Sequence, residues 1–176
     1  MEAEQYDEWH RLEAEARRML DGESSTAGET LVHAAVHPSF DDSSSYKVFV
    51  PVKLGDVAAR CTKRIWRRHI DSAKFESPVV RLRHAARIEA TIEEFDARVP
   101  EATATPLLAR MSKLMVTPRP TKSAMGVDGT TYRLVIRDGF TSGRFDWWVQ
   151  PPSGWEEIGA LHRDVVAMVD EALARA

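Results

Sequence analysis

A dense group of cations lies between residues 60 and 68, and its spacing is suited to binding an anionic partner. The segment reads RCTKRIWRR, with one tryptophan among five basic residues. Asp56 can cap a helix that begins at the next residue and continues to about Ile70. Basic side chains on such a helix neutralise phosphates or carboxylates, and an adjacent aromatic ring fills a partner pocket or stacks on a base. The sequence therefore predicts a basic helix over residues 57–70 with these partner-binding side chains: Arg60, Lys63, Arg64, Trp66, Arg67 and Arg68.

The charge of the chain is distributed unevenly, which leaves three interpretations of the basic helix open. Residues 1–42 contain eleven acidic residues and three arginines, a net charge of −8, whereas residues 60–87 contain nine basic and two acidic residues, a net charge of +7. The helix can pair with the acidic N-terminal segment of the same chain, bind an acidic protein, or bind nucleic acid. An isoelectric point of about 6.1 weighs against a dedicated nucleic-acid-binding protein.

Two further segments contribute candidate contacts. Apolar residues alternate with polar ones over residues 80–92, which predicts either one long strand or two strands that share a bend, with Arg81 and Arg83 on the polar face. Trp147 and Trp148 are consecutive in another predicted strand, so they point to opposite faces of a sheet. We expect Trp147 in the core and Trp148 as an aromatic anchor on an interface, the alternative being that another part of the chain covers it.

The histidines and the single cysteine are the remaining residues that could bind a metal ion or take part in catalysis. His33 and His37 could share a metal ion on a helix, but on a strand they lie ~13 Å apart. Cys61 lies among cations that would lower its pKa, yet no nucleophile motif surrounds it. The glycines lie in turns, and none begins a phosphate-binding loop. We therefore predict no catalytic residue, no metal site and no cofactor, while convergence of His33, His37, His69 and His84 in a pocket stays open.

The predicted helices that must position these residues lie mainly at the two ends of the chain. Amphipathic periodicity predicts one over residues 4–20, ended near Gly22. A second runs from about residue 156 to Leu173, with an apolar stripe formed by Ile158, Leu161, Val165, Met168 and Val169. Thr105 followed by Pro106 predicts the start of a short helix that continues to about Met115.

Strands are predicted between these helices. Alternating valines predict one over residues 46–52, and residues 26–38 form either a short helix or a buried strand, with strand favoured. Asp128-Gly129 and Asp138-Gly139 are turn dipeptides, and apolar residues alternate between and after them over residues 132–149. This pattern predicts an antiparallel meander.

The order of the elements predicts an α+β fold, with an antiparallel sheet of about five strands and helices packed on one face. Strands joined by two-residue turns exclude a parallel arrangement for the meander. We expect a single domain over residues 1–176, with the N-terminal helix in residues 1–22 and the meander plus C-terminal helix in residues 120–176. One cysteine, the absence of a long apolar run and an acidic N-terminus predict a cytoplasmic protein that does not bind membranes.

The run DGTTYRLVIRDGF, followed by FDWWVQPPSGWEEI, resembles a pattern of small bacterial immunity-type proteins. Its parts are a DG-x-x-Y hairpin, a strand ending in WW, a PP-x-x-W turn and a last helix, and together they cover about the last fifty residues. The resemblance implies a protein that neutralises a toxin made by a neighbouring gene, and it carries no catalytic residue.

Together these features predict a non-enzymatic bacterial inhibitor that binds a protein toxin or effector through a charged face with an aromatic anchor. The alternative is a nucleic-acid-associated regulatory or phage-defence factor that uses the same basic helix. A third possibility is an enzyme whose histidines converge in a pocket.

Overall fold

Four helices and six strands make up the described part of the chain, which in this computed structural model comprises residues 3–22, 29–51, 58–77, 88–116, 128–138 and 141–176. In chain order they are α1 (Ala3–Asp21), β1 (Glu29–Pro38), β2 (Ser43–Pro51), β3 (Ala59–Trp66), α2 (Arg68–Glu76), β4 (Ile92–Val99), α3 (Glu101–Met111), β5 (Thr130–Asp138), β6 (Thr141–Trp148) and α4 (Glu156–Ala174).

The strands form one antiparallel sheet in the order β4-β3-β2-β1-β5-β6. Consecutive strands pair from β1 to β4, and the β5–β6 hairpin adds to the free side of β1. In the register, Val32 of β1 lies opposite Val48 of β2 and Ile136 of β5. β1 and β2 are therefore the central strands, which is why both are mostly buried.

The larger core lies on the side of the sheet that packs against α3 and α4, here called the α4 side. Because side chains alternate along a strand, each central strand places every second residue on this side. Ile158, Leu161 and Val165 of α4 are buried in this core. The sheet contributes Val32, Ala34, Tyr46, Val48, Val50, Ala59, Cys61 and Leu134.

The opposite side of the sheet, here called the α1 side, carries a smaller cluster. Ala16 and Leu20 of α1 pack with Trp66 of β3, and Trp9 lies with its ring centroid 6.0 Å from that of Trp66. Phe75 of α2 meets Trp9 edge to face at 5.3 Å. α1 and α2 thus cover one part of this side, over β2, β3 and β4.

The α+β class and the antiparallel sheet are confirmed, with six strands where about five were predicted. α1, α4 and the β5–β6 hairpin form where local periodicity placed them, and the ambiguous segment is strand β1. Most packing of helices on the sheet is on one side as predicted, but α1 and α2 lie on the other.

The predicted basic helix over residues 57–70 is wrong. Its described part, from residue 58, forms strand β3 and only the first residues of α2. β3 has hydrogen-bonded neighbours on both edges, β2 and β4, and these long-range pairings decide its conformation. Ala59 and Cys61 then face the α4 side, while Arg60 and Thr62 face the α1 side.

Two other predictions are corrected. Of the strand predicted over residues 80–92, residues 78–87 lie outside the described part of the chain, residues 88–91 are not in a strand, and Ile92 begins β4, which continues to Val99. The short helix begins at Glu101, directly after Pro100. Thr105 therefore does not cap it, and its hydroxyl donates instead to the Glu101 carbonyl at 2.9 Å.

Within the described ranges, no helix combines the length and the apolar composition needed to cross a membrane.

Candidate functional site

The strand conformation of β3 sends its cations to both sides of the sheet. Lys63 lies on the α4 side, where its Nζ donates to Asp170 of α4 at 2.8 Å. Arg60 and Arg64 lie on the α1 side, where Arg60 pairs with Glu29 at 3.3 Å and Arg64 pairs with Glu94 of β4. The sequence prediction of one continuous basic surface therefore does not match the geometry of this segment.

Arg64 also caps the C-terminus of α1. Its Nη1 donates to the carbonyls of Met19 and Gly22 at 2.9 and 3.0 Å. Ser45 donates to the Leu20 carbonyl at 2.9 Å, and the buried Lys47 donates to the Gly22 carbonyl. Carbonyls at a helix end lack intrahelical partners and carry partial negative charge, so these donors fix α1 on the sheet.

We expect Arg64→Ala to destabilise the protein by about 2–3 kcal/mol, because it removes a charged donor from two helix-end carbonyls. Arg60→Ala is the matched control on the same strand and the same side, since the Arg60 side chain is 49% exposed and its ion pair is solvent-screened. The free energy of unfolding in denaturant measures both. Equal losses for the two variants would contradict the capping role of Arg64.

The remaining cations of the predicted partner surface also have intramolecular partners. Arg67 pairs with Asp42 at 3.2 Å and with Glu93 of β4. Arg68 pairs with Glu13 of α1 at 3.4 Å and lies over the rings of Trp9 and Trp66. The acidic N-terminal helix thus neutralises part of the basic segment.

The predicted aromatic anchors differ in their exposure. Trp66 is fully buried, and its Nε1 donates to Asp71 at 2.8 Å, so it presents no surface to a partner in this conformation. Trp148 is half-buried on the α1 side, where the register puts it in one row with Thr131 and His37. A Cβ on Gly129 would lie 2.6 Å from its indole, so this close approach requires glycine. Arg81 and Arg83 lie outside the described residues.

The part of the α1 side that α1 leaves uncovered carries three arginines around a cavity. This cavity has a volume of about 300 Å³ and is lined by Arg133 and Arg137 of β5 and by Arg144 of β6. These three residues are here called the arginine face. Val135 lies opposite both His33 and Arg144 in the register, so it forms the floor between them. Three cations at one cavity make this the strongest candidate site in the described part of the chain.

The arginines of this face are neutralised to different degrees. Arg133 is largely buried and donates to Asp21 of α1 and to Asp146, each at 2.6 Å. Arg144 is 59% exposed and shares Asp146 at 2.6 Å. Arg137 is exposed and makes no ion pair with any residue the structure describes. Arg133 is therefore a structural link between α1 and the hairpin, whereas Arg137 and Arg144 remain accessible.

Two buried histidines of β1 lie on the same side of the sheet. His33 lines the cavity, and its Nε2 lies 3.0 Å from Ser45 Oγ. Burial lowers the pKa of His33 to about 3, with Lys47 and Arg133 adding to the effect. His37 has no hydrogen-bond partner on either ring nitrogen, and burial lowers its pKa to about 4. Both rings are neutral at physiological pH.

The other candidate reactive groups do not join them. Cys61 is buried in β3, and burial raises the pKa of its thiol, which opposes a nucleophilic role. His69 is exposed and pairs with Asp42 at 2.9 Å, and His84 lies outside the described residues. Where the structure describes the chain, no three His, Cys, Asp or Glu side chains come together in a way that could hold a metal ion.

One end of the sheet, next to Trp148, carries exposed apolar residues and backbone strain. Phe40, in the turn between β1 and β2, is 76% exposed. Val149, directly after β6, has φ +59°, which a β-branched residue adopts only under constraint from its surroundings. Its N–H bonds to the Thr130 carbonyl at 2.8 Å. This end lies about 13 Å along β6 from Arg144, at the opposite end of the hairpin from Arg137, and it offers apolar contacts there.

Sequence reasoning missed the arginine face, although its signal was present. Arg133, Val135 and Arg137 alternate with the apolar residues that identified β5, so they had to share the opposite side of the sheet. The pairing of β5 with β1, which brings His33 and the cavity to that side, joins segments about one hundred residues apart. A local pattern does not contain that information.

No family model matches this chain, and neither a curated protein nor a solved structure matches it.

Proposed function

We propose that the chain is a non-enzymatic, cytoplasmic bacterial inhibitor of the immunity type, which neutralises a toxin or effector by covering an acidic surface on it. The observation that carries this proposal is the exposure of Arg137 and Arg144 at the cavity, on the same side of the sheet as Trp148, while the cations of residues 60–68 pair with acids of the same chain. The arginine face thus takes the place of the predicted basic helix as the partner surface.

The mechanism follows from the chemistry of this surface. The planar guanidinium groups of Arg137 and Arg144 bind carboxylates in a bidentate fashion, which fixes the orientation of the partner. Further apolar area, about 13 Å along β6 from Arg144, is supplied by Trp148, Phe40 and Val149. Opposite charge on the two proteins speeds their association, and the bound inhibitor blocks access to the toxin's active site.

An acidic protein is favoured over nucleic acid because acids are interleaved with the arginines. Asp146 pairs with both Arg133 and Arg144, and Asp21 pairs with Arg133. A phosphate backbone would meet these carboxylates as well as the arginines, and nucleic-acid affinity depends on the number of phosphates that are neutralised. The net charge of −3 also disfavours binding to nucleic acid, which is itself negatively charged.

The test begins with a pull-down of the tagged full chain from its host lysate at low and high salt, in which protein and nucleic acid are both identified. The affinity of the purified partner is then measured for the wild type and for Arg137→Glu/Arg144→Glu. We expect the double reversal to weaken binding by about 100-fold or more, because two attractive contacts become repulsive. The wild type should also inhibit the partner's activity, and the variant should not.

The matched control is Arg163→Glu/Arg175→Glu, which makes the same change in net charge on exposed residues of α4 and its C-cap, across the sheet from the arginine face. It should retain full affinity, and circular dichroism should confirm that both variants are folded. Equal weakening by the two double reversals, or recovery of nucleic acid alone, would overturn the proposal.

A further inference from the structure

The cavity of the arginine face also has the features of a site for a small anion. Its volume of about 300 Å³ is at the lower end of the range for ligand pockets. Val135 and Leu31 give it apolar walls, and Arg133, Arg137 and Arg144 place guanidinium groups around it. A small ligand with one anionic group matches this combination of size and lining.

The cavity retains an excess of positive charge after the internal ion pairs are counted. Asp21 and Asp146 both bind Arg133, and Asp146 also accepts from Arg144. These two carboxylates leave one of the three guanidinium charges without a counter-ion in the described residues. Burial is the largest cause of the low pKa of His33, and Lys47, Arg133 and Arg137 lower it further through their positive charges. An oxyanion bound here would complete the charge balance.

His33 adds a hydrogen-bond acceptor to the same cavity. The Ser45 hydroxyl has one proton, and it donates that proton to the Leu20 carbonyl at 2.9 Å. Ser45 Oγ must therefore accept from His33, which assigns the proton of the neutral ring to Nε2. Nδ1 then carries a lone pair and has no hydrogen-bond partner among the described residues.

We propose that this cavity binds a small hydroxylated acid, whose oxyanion lies against Arg137 and Arg144 and whose hydroxyl donates to His33 Nδ1. The oxyanion is a carboxylate or a phosphate, since an arginine fork binds either one. The inference goes beyond the proposed function, because it concerns a small ligand and requires no protein partner. The two share Arg137 and Arg144, so a bound acid would also compete with a protein on this surface.

The test is a titration of the purified full chain with D-glycerate and with sn-glycerol 3-phosphate, followed by calorimetry and by ¹⁵N NMR of the amides and the histidine rings. We expect saturable binding of at least one probe with a Kd below about 1 mM. The resonance of His33 Nδ1 should move on binding. Tighter binding of glycerate identifies a carboxylate as the source of the anion, and tighter binding of the phosphate ester identifies a phosphate.

Arg137→Gln/Arg144→Gln should weaken the binding by at least ten-fold, whereas the matched Arg163→Gln/Arg175→Gln variant should bind like the wild type. No saturation with either probe at about 10 mM, the same affinity in both variants, or an unmoved His33 ring would each overturn the inference. Because the titration uses the isolated chain, its failure would leave the partner measurement untouched, and the absence of a protein partner would leave the titration valid.

Discussion

The protein is expected to unfold cooperatively as the pH falls from about 6 to 4, because neutral histidines of β1 are buried on the α1 side of the sheet. His33 and His37 are 4% and 6% exposed, and burial lowers their pKa values from 6.5 to about 3 and about 4. His162 of α4 donates to the Ala35 carbonyl at 3.0 Å, and burial lowers its pKa as well. Protonation of any of these rings is unfavourable in the folded state.

The direction of the effect follows from proton linkage. Below pH 6.5 the unfolded chain binds protons at His33 and His37 before the folded chain does, so their contribution is complete above pH 6.5 and is lost as the pH falls towards the folded pKa values. At about 1.4 kcal/mol for each unit of pKa shift, the two rings lose several kcal/mol by pH 4 and reach their full effect of about 8 kcal/mol only below pH 3. A loss of that size is comparable to the whole stability of a domain.

The charges around the two rings make the stability of the folded state more sensitive to pH. Lys47, Arg133 and Arg137 act on His33, and Arg17 and Arg133 act on His37, so that a proton on either ring meets like charge. Asp21 and Asp146 raise the pKa of His37, but burial outweighs them. Protonation would therefore act directly on the contacts between α1 and the arginine face.

His37→Phe provides a sharp test of this account. It removes one titrating ring together with two buried nitrogens that have no hydrogen-bond partner, so we expect a gain in stability at pH 7 and a shallower loss on acidification. His10→Gln on α1, whose side chain is 51% exposed in the wild type, is the control and should leave the profile unchanged. The free energy of unfolding at pH 7.5, 6 and 5 measures both. A wild type that stays folded with constant stability down to pH 4 would exclude the mechanism.

The sequence predicted those elements whose pattern is strong within one segment. The apolar stripe of α4 and the alternation in β5 and β6 each present one buried side, and burial of that side is enough to select helix or strand. β1 was ambiguous for the opposite reason, because a central strand is buried on both sides and its apolar run carries no period.

The basic segment misled the prediction because its cations have distant partners. Lys63 meets Asp170, Arg64 meets Glu94 and the end of α1, and Arg68 meets Glu13. The sequence alone does not show these acidic partners, and closely spaced cations are then typical of a solvent-exposed helix. Because the partners lie on separate elements of the fold, β3 can place cations on both sides of the sheet although it is an interior strand.

The same reasoning explains how the candidate site was missed. The predicted site was a run of neighbours in the sequence, but the cavity is built from β1, β5, β6 and the end of α1. Alternation with Trp147 correctly assigned Trp148 to the same side of the sheet as the cavity, but Trp148 does not line it. The polar residues that alternate with the apolar ones in β5 and β6 include Arg137 and Arg144, so the same pattern could have identified them as candidate contact residues.

Asp71→Ala is expected to cost about 4 kcal/mol, the largest loss from a single truncation outside the apolar core. Asp71 is fully buried and accepts from Trp66 Nε1 at 2.8 Å, from the Thr91 amide at 2.8 Å and from Lys74 Nζ at 2.7 Å. Burial alone would raise the pKa of Asp71, but these hydrogen bonds outweigh it and hold the pKa below its ordinary value. Its contribution is therefore present at neutral pH and is lost as the pH falls below about 4.

The size of this loss depends on what the carboxylate connects. Asp71 joins α2 to the end of β3 and to the residue that precedes β4, so truncation leaves buried donors unpaired at one junction. Asp71→Asn keeps the shape but removes the charge opposite Lys74, and it should lose less than the alanine variant. Asp164→Ala, which removes an exposed carboxylate paired with Arg110, should change stability by less than about 0.5 kcal/mol. Urea unfolding monitored by tryptophan fluorescence also reports the environment of Trp66, and an alanine variant as stable as Asp164→Ala would show that this junction is held by apolar packing alone.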